Sequence, residues 1–82
     1  MSDAQDDLLL DVRGLACPLP ILRAKKMMRK VPSGGRLRVE ATDPAAVRDF
    51  EAFSKATNIP LDENRQEDGP DGPVFVFILR QP

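Results

Sequence analysis

Any chemistry in this chain has to start from Cys17. It is the only cysteine in 82 residues, and there is no histidine to accompany it. Pro18 and Pro20 follow it in the stretch Leu15-Ala16-Cys17-Pro18-Leu19-Pro20. Proline is tolerated in the first turn of a helix, where backbone N–H groups lack intrahelical partners anyway. The spacing therefore places Cys17 at a helix N-terminus, at or near the cap. Unpaired N–H groups and the positive end of the helix dipole favour an anion there. That predicts a thiol that ionises readily to its reactive thiolate. Arg13, Arg23, Lys25 and Lys26 are the cations close enough in sequence to add to the effect.

The residue inventory limits what such a thiol can do. Without histidine, imidazole proton transfer and the usual zinc and catalytic-triad arrangements are excluded. With one cysteine there is no internal disulfide, no dithiol cycle within the chain and no soft-ligand metal site. Two readings stay open. Cys17 is either a thiol that carries a group such as a sulfane sulfur, or pairs with another protein, or it is a small hydrophobe with a packing role in a non-catalytic interaction domain. On the first reading Gly14, Pro18 and Pro20 shape the turn beneath the sulfur. Pro18 and Pro20 also do no more than fix the helix start on the second. The basic run Arg23–Lys30 is either a solvated helix face or a surface that steers an acidic partner to Cys17. Leu22 falls among these charges on a helical wheel, one turn beyond Cys17, and is a candidate docking contact.

Composition bounds the rest. With 41% hydrophobic and 30% charged residues, the chain is expected to form one small globular domain. A formal net charge of −1 and an aromatic content of 5%, all phenylalanine, argue against nucleic-acid binding through a basic surface or stacked bases. No apolar run approaches the roughly 20 residues of a membrane span. Residues Met1–Asp7 are polar and acidic, lack the features of a signal peptide, and are expected to be a disordered tail before a domain over 8–82. A cytoplasmic location is the expectation, and a lone cysteine suits its reducing conditions.

The elements that must position Cys17 follow from periodicity. Leu8–Arg13 reads as a strand, with Leu8, Leu10 and Val12 on one face, and Gly14 marks its exit. A helix is expected from about Pro18 to about Lys30, with Ile21, Ala24, Met27, Met28 and Val31 forming its apolar arc. Pro32-Ser33-Gly34-Gly35 stops it. Arg36–Ala41 alternates cleanly as a second strand. Asp43 is the expected N-cap of a second helix, with Pro44 at its first position and Asn58 at its end. Its inner face would carry Ala46, Val47, Phe50 and Phe53. Ile59–Glu67, polar and containing Pro60, suggests an edge strand. Asp68–Pro73 is a turn, and Val74–Arg80 is a central strand. The order β-α-β-α-β-β gives parallel pairing through crossovers and then an antiparallel hairpin. Two helices can cover one face of four strands, so the expected architecture is an α/β two-layer sandwich. One apolar set of the last strand, Phe75, Phe77 and Leu79 or Val74, Val76 and Ile78, then lies on the uncovered face. The expectation is that its hairpin partner and the sheet twist cover most of it.

These residues together resemble the TusA/SirA-like family of small sulfur carriers (sulfurtransferases). The resemblance rests on Leu10-Asp11-Val12-Arg13-Gly14-Leu15-Ala16-Cys17-Pro18-Leu19-Pro20, Lys26, the Pro32–Gly35 turn, Leu37-Arg38-Val39-Glu40-Ala41-Thr42-Asp43-Pro44, Asp49, Phe53, Phe75, Phe77 and Arg80. It implies a mixed four-stranded sheet in the order 1-2-4-3 with two helices on one face. It also implies that Cys17 accepts sulfur as a persulfide from a donor such as a cysteine desulfurase and relays it to an acceptor protein. In relatives the routes lead to tRNA thiolation, molybdenum cofactor or sulfur oxidation. No cofactor is implied beyond the covalent sulfur. Ser54 stands where some relatives carry a second cysteine.

Overall fold

The structure is a computed structural model that describes residues 8–82, so the expected tail at Met1–Asp7 lies outside the described residues. In chain order it contains β1 (Leu8–Val12), α1 (Leu19–Met28), β2 (Arg36–Ala41), α2 (Ala45–Thr57), β3 (Leu61–Gly69) and β4 (Gly72–Arg80). The strands form one sheet in the order β1-β2-β4-β3. β1 runs parallel to β2, while β4 is antiparallel to both β2 and β3. This is the mixed sheet in the order 1-2-4-3 that the family resemblance implies.

The register of β2 explains the layering. Leu37, Val39 and Ala41 are fully buried and alternate with half-buried Arg36, Arg38 and Glu40. Val12, Phe77 and Leu79 join them on the helix side, against Ala24 and Met28 of α1 and Ala46, Phe50 and Phe53 of α2. The Phe50 and Phe77 rings stack with centroids 4.5 Å apart. Each valine, leucine, methionine or phenylalanine fully buried there contributes about 1.5–3 kcal/mol.

The face without helices carries Val76 and Ile78, yet they are only 0% and 4% exposed. Their neighbours across the ladders are Glu40 and Arg65 for Val76, and Arg38 and Glu63 for Ile78. Arg38 pairs with Glu40 and Glu67, and Arg65 pairs with Glu63 and Glu67. These long side chains flank the two apolar residues on the same face of the sheet, and stems of this kind cover apolar surface while their charged ends reach toward water. The flanking strands, including the hairpin partner, thus cover the apolar set.

Element ends differ from the sequence expectation in instructive ways. α1 starts at Leu19 with Pro18 as its cap, and it stops at Met28 because Lys30 and Val31 turn back to the Met27 and Met28 carbonyls. α2 starts at Ala45, one residue later than expected, with Pro44 at the cap. Asp43 still accepts the Ala45 N–H, at 3.0 Å. Asn58 closes α2 at φ 59°, a left-handed conformation that asparagine tolerates. Ser54 Oγ donates to the Ile59 carbonyl at 2.6 Å and fixes that exit. β3 lies two residues later than expected at both ends. Pro60 has no N–H for the ladder, and a bulge at Asp62 separates the Leu61 and Glu63 pairings. Gly69 pairs with Gly72, which narrows the expected six-residue turn to Pro70-Asp71. None of the described helices is long and apolar enough to cross a membrane.

Candidate functional site

Two loops at one end of the sheet build the surroundings of Cys17. β1 ends at Val12, and Gly14 turns the chain at φ +83° with open space where a Cβ would lie. A side chain there is opposed by backbone strain and not by crowding. The loop after β2 then grips the loop after β1 at two points. Gly14 N–H donates to Thr42 Oγ1 at 2.8 Å, and Cys17 N–H donates to Asp43 Oδ2 at 2.7 Å. Because β1 and β2 are parallel neighbours, both loops emerge on the same edge, which is why residues 26 and 28 apart in sequence meet. Asp43 spans the junction: Oδ1 holds the start of α2 at Ala45 and Oδ2 holds the backbone of Cys17. These donors keep its carboxyl below the usual carboxylate range, Cys17 N–H first and Ala45 N–H second.

Beneath the sulfur, the Cys17–Pro18 peptide bond is cis, and Pro20 is fully buried at the second position of α1. Pro20 is thus a core side chain as well as a helix-start residue. Cys17 itself is exposed. It opens onto a shallow groove shared with Pro18, Ile21, Lys25, Asp49 and Phe53. Its Sγ donates to Asp49 Oδ2 at 3.0 Å.

The expectation of a readily ionised thiol is overturned. The Cys17 thiol is pushed up, first by its hydrogen bond to Asp49, then by desolvation and by the charges of Asp49 and Asp43. The same prolines that mark the helix start reduce what the helix can offer in return. Pro18 and Pro20 have no N–H to offer, and the Leu19 N–H is spent on the Ala16 carbonyl at 2.9 Å. The Cys17 N–H goes to Asp43. Nor do the nearby cations converge on the sulfur. Arg13 is drawn to Asp11, donating from Nε at 2.9 Å and Nη2 at 3.0 Å. Arg23 and Lys26 line a different groove, with Leu10, Leu19, Leu22 and Met27. Lys25 alone among the four shares the Cys17 groove.

The structure therefore distributes the sequence candidates over three surfaces. Cys17, Pro18 and Lys25 share the first. Leu22, Arg23 and Lys26 share the second, where Leu22 is 51% exposed beside the edge strand β1. Arg13 and Gly14 face a third hollow lined by the Pro70–Pro73 hairpin. Thr42, Asp43 and Asp49 were not among the sequence candidates. By local pattern Thr42 and Asp43 read as a helix start and Asp49 as an ordinary helix position; their one further signal is that all three belong to the residues that carry the family resemblance. No cluster of three or more metal-ligating side chains is found among the described residues. The arrangement offers one accessible sulfur, held by backbone and carboxylate contacts, in an open groove suited to another macromolecule's side chain.

Comparison with known proteins agrees with this architecture. The sequence pattern of the family described as Sulfurtransferase TusA matches residues 9–80. The sulfur carrier protein TusA of Allochromatium vinosum is 53% identical over 78 residues, covering 95% of this chain and 97% of that protein. A putative sulfur carrier protein of Bacillus subtilis, YrkI, is 46% identical and covers 94% of this chain and 97% of its own length. The crystal structure of a SirA-like protein from Desulfitobacterium hafniense superposes with a TM-score of 0.69 over 92% of this chain and 99% of that one. At 20% sequence identity that likeness concerns the fold.

Proposed function

The chain belongs to the TusA sulfurtransferase family, and from that premise we propose that it is a sulfur carrier working through a persulfide on Cys17. The observation that carries the reading is the exposure of the chain's only thiol in an open groove, fixed from behind by Asp43. An exposed sulfur with its own backbone anchor is poorly matched to a packing role. The chemistry is thiol–persulfide exchange. The Cys17 sulfur attacks the terminal sulfur of a donor persulfide, the donor's S–S bond breaks, and the donor cysteine leaves as a thiolate that takes up the proton lost by Cys17. The carried sulfur is attacked in turn by an acceptor thiolate, and Cys17 departs as the thiol. No histidine and no metal are needed for either step.

The donor in this reading is a cysteine desulfurase or another persulfide-bearing protein. The acceptor is a second protein, in a route to tRNA thiolation, molybdenum cofactor or sulfur oxidation. Neither nucleic acid nor membrane is contacted directly, and the exchange takes place in the cytoplasm. Gly14, Pro18 and Pro20 set the turn, while Arg13, Leu22, Arg23, Lys25 and Lys26 are the candidates for partner contact. The test is intact mass after incubation with a cysteine desulfurase and cysteine. A gain of one sulfur, reversed by reductant and missing in Cys17→Ala, is expected. No gain with several desulfurases would overturn the reading.

A further inference from the structure

The mid-helix residue Asp49 has no part in the exchange as written, yet its carboxylate faces the reacting atom. It sits half-buried on α2 with no ion-pair partner among the described residues, and its oxygen accepts from Cys17 Sγ at 3.0 Å. Two carboxylates act on the sulfur, Asp49 from α2 and Asp43 from the loop after β2, and Lys25 of α1 lines the same groove. The two carboxylates make the field at the sulfur unfavourable to a negative charge. An uncharged S–H can dock against Asp49 in that field. An anionic sulfur cannot, since it has no proton to donate and is repelled by both carboxylates.

We propose that Asp49 is a positioning residue that latches the empty carrier as a thiol and releases the sulfur arm once Cys17 is loaded. The second half rests on the persulfide reading above. Loading converts Cys17–S–H and donor–S–S–H into Cys17–S–S–H and donor–S–H. The Cys17 sulfur thereby exchanges its bond to hydrogen for a bond to sulfur and loses the hydrogen bond it gave to Asp49. A persulfide S–H is more acidic than a thiol, so the new terminal sulfur is anionic near neutral pH. It turns away from the two carboxylates into the groove that Lys25 also lines. An empty carrier is thus quiet toward stray electrophiles and oxidants, while a loaded one presents its cargo outward.

The latch is tested on the full chain with iodoacetamide, independently of any sulfur donor. Asp49→Asn keeps the shape of the side chain and removes its charge. The pH midpoint of Cys17 alkylation is expected to fall in this variant, and its rate at pH 7 to rise about three- to tenfold, because more of the thiol is ionised. A midpoint equal to or above that of the unsubstituted protein overturns the latch. A second measurement does not require the variant to fold. The Asp49 side-chain carboxyl ¹³C resonance of the unsubstituted protein is expected to move when Cys17 is alkylated, and an unmoved resonance overturns the contact. The release is read by the same resonance on the sulfur-loaded protein, with loading verified by mass. Verified loading with no movement overturns the release, whereas failure to load at all counts against the persulfide reading and leaves the alkylation results to judge the latch.

Discussion

The backbone N–H of Cys17 lies 2.7 Å from Asp43 Oδ2, across 26 residues of sequence. This bond, more than the helix start, fixes where the sulfur sits. The other oxygen of Asp43 holds Ala45, so the carboxylate links the Cys17 loop to the first turn of α2. Asp43→Ala removes both acceptors at once. Small misplacements of a reacting group cost rate steeply. Sulfur loading of this variant is expected to slow about tenfold or more, with the Cys17→Ala variant as the zero. Loading at the unaltered rate would show that the loop holds its shape without Asp43.

The same bond gives a pH dependence. The N–H donors of Cys17 and Ala45 hold the Asp43 carboxyl below its usual range. A carboxyl whose folded pKa is lower than its unfolded one stabilises fully above the unfolded value, about 4, and loses that contribution as pH falls through the folded value. The melting temperature of the unsubstituted protein should therefore exceed that of Asp43→Asn at pH 6–7. The gap should narrow as pH falls below about 4. A gap that stays constant down to pH 2 would contradict this assignment.

The stack of Phe50 on Phe77 pins α2 to the centre of the sheet. Asp49 precedes Phe50, so the core contact also sets the height of the carboxylate above Cys17. Phe50→Ala is expected to lower unfolding stability by about 3–5 kcal/mol, the usual cost of emptying a phenylalanine site. Urea denaturation followed by far-UV circular dichroism measures it. A loss below about 1 kcal/mol would mean that the site collapses around the smaller side chain.

Much of this molecule was legible in the sequence because periodicity reports burial. Leu37, Val39 and Ala41 alternate, and each is buried. Phe50 and Phe53 recur at helical spacing, and both are core. Strand order 1-2-4-3 came with the family resemblance. The ladder ends were less legible, since Pro60 and the Asp62 bulge displace β3 by amounts that depend on β4 across the ladder. The electrostatics of the site were not legible at all. Sequence neighbours of Cys17 are mostly basic, whereas its spatial neighbours include Asp43 and Asp49, brought in by the crossover from β2 to α2. A helix start rich in proline also offers an anion fewer N–H groups than its position suggests.

The division of the candidate docking residues over three surfaces makes partner contact separable from sulfur chemistry. Arg23 and Lys26 flank an apolar groove that includes exposed Leu19 and Leu22, away from the Cys17 groove. Neither makes an ion pair within the described residues, so both charges are available to a partner. Charges at the rim of a contact act mainly on association rate and are weakened by salt. The double variant Arg23→Glu, Lys26→Glu is therefore expected to lower kcat/KM for loading by a desulfurase about tenfold at low salt. Saturating kcat should be unchanged, and the difference should shrink as salt is raised. Leu22→Asp should lower kcat/KM in a way that salt does not restore, because it removes apolar contact. Arg13→Ala serves as the contrast: its guanidinium is already held by Asp11, and loading should stay within about twofold of the unsubstituted rate. Loss of loading in Arg13→Ala alone would move the donor's footprint from α1 to the hairpin hollow.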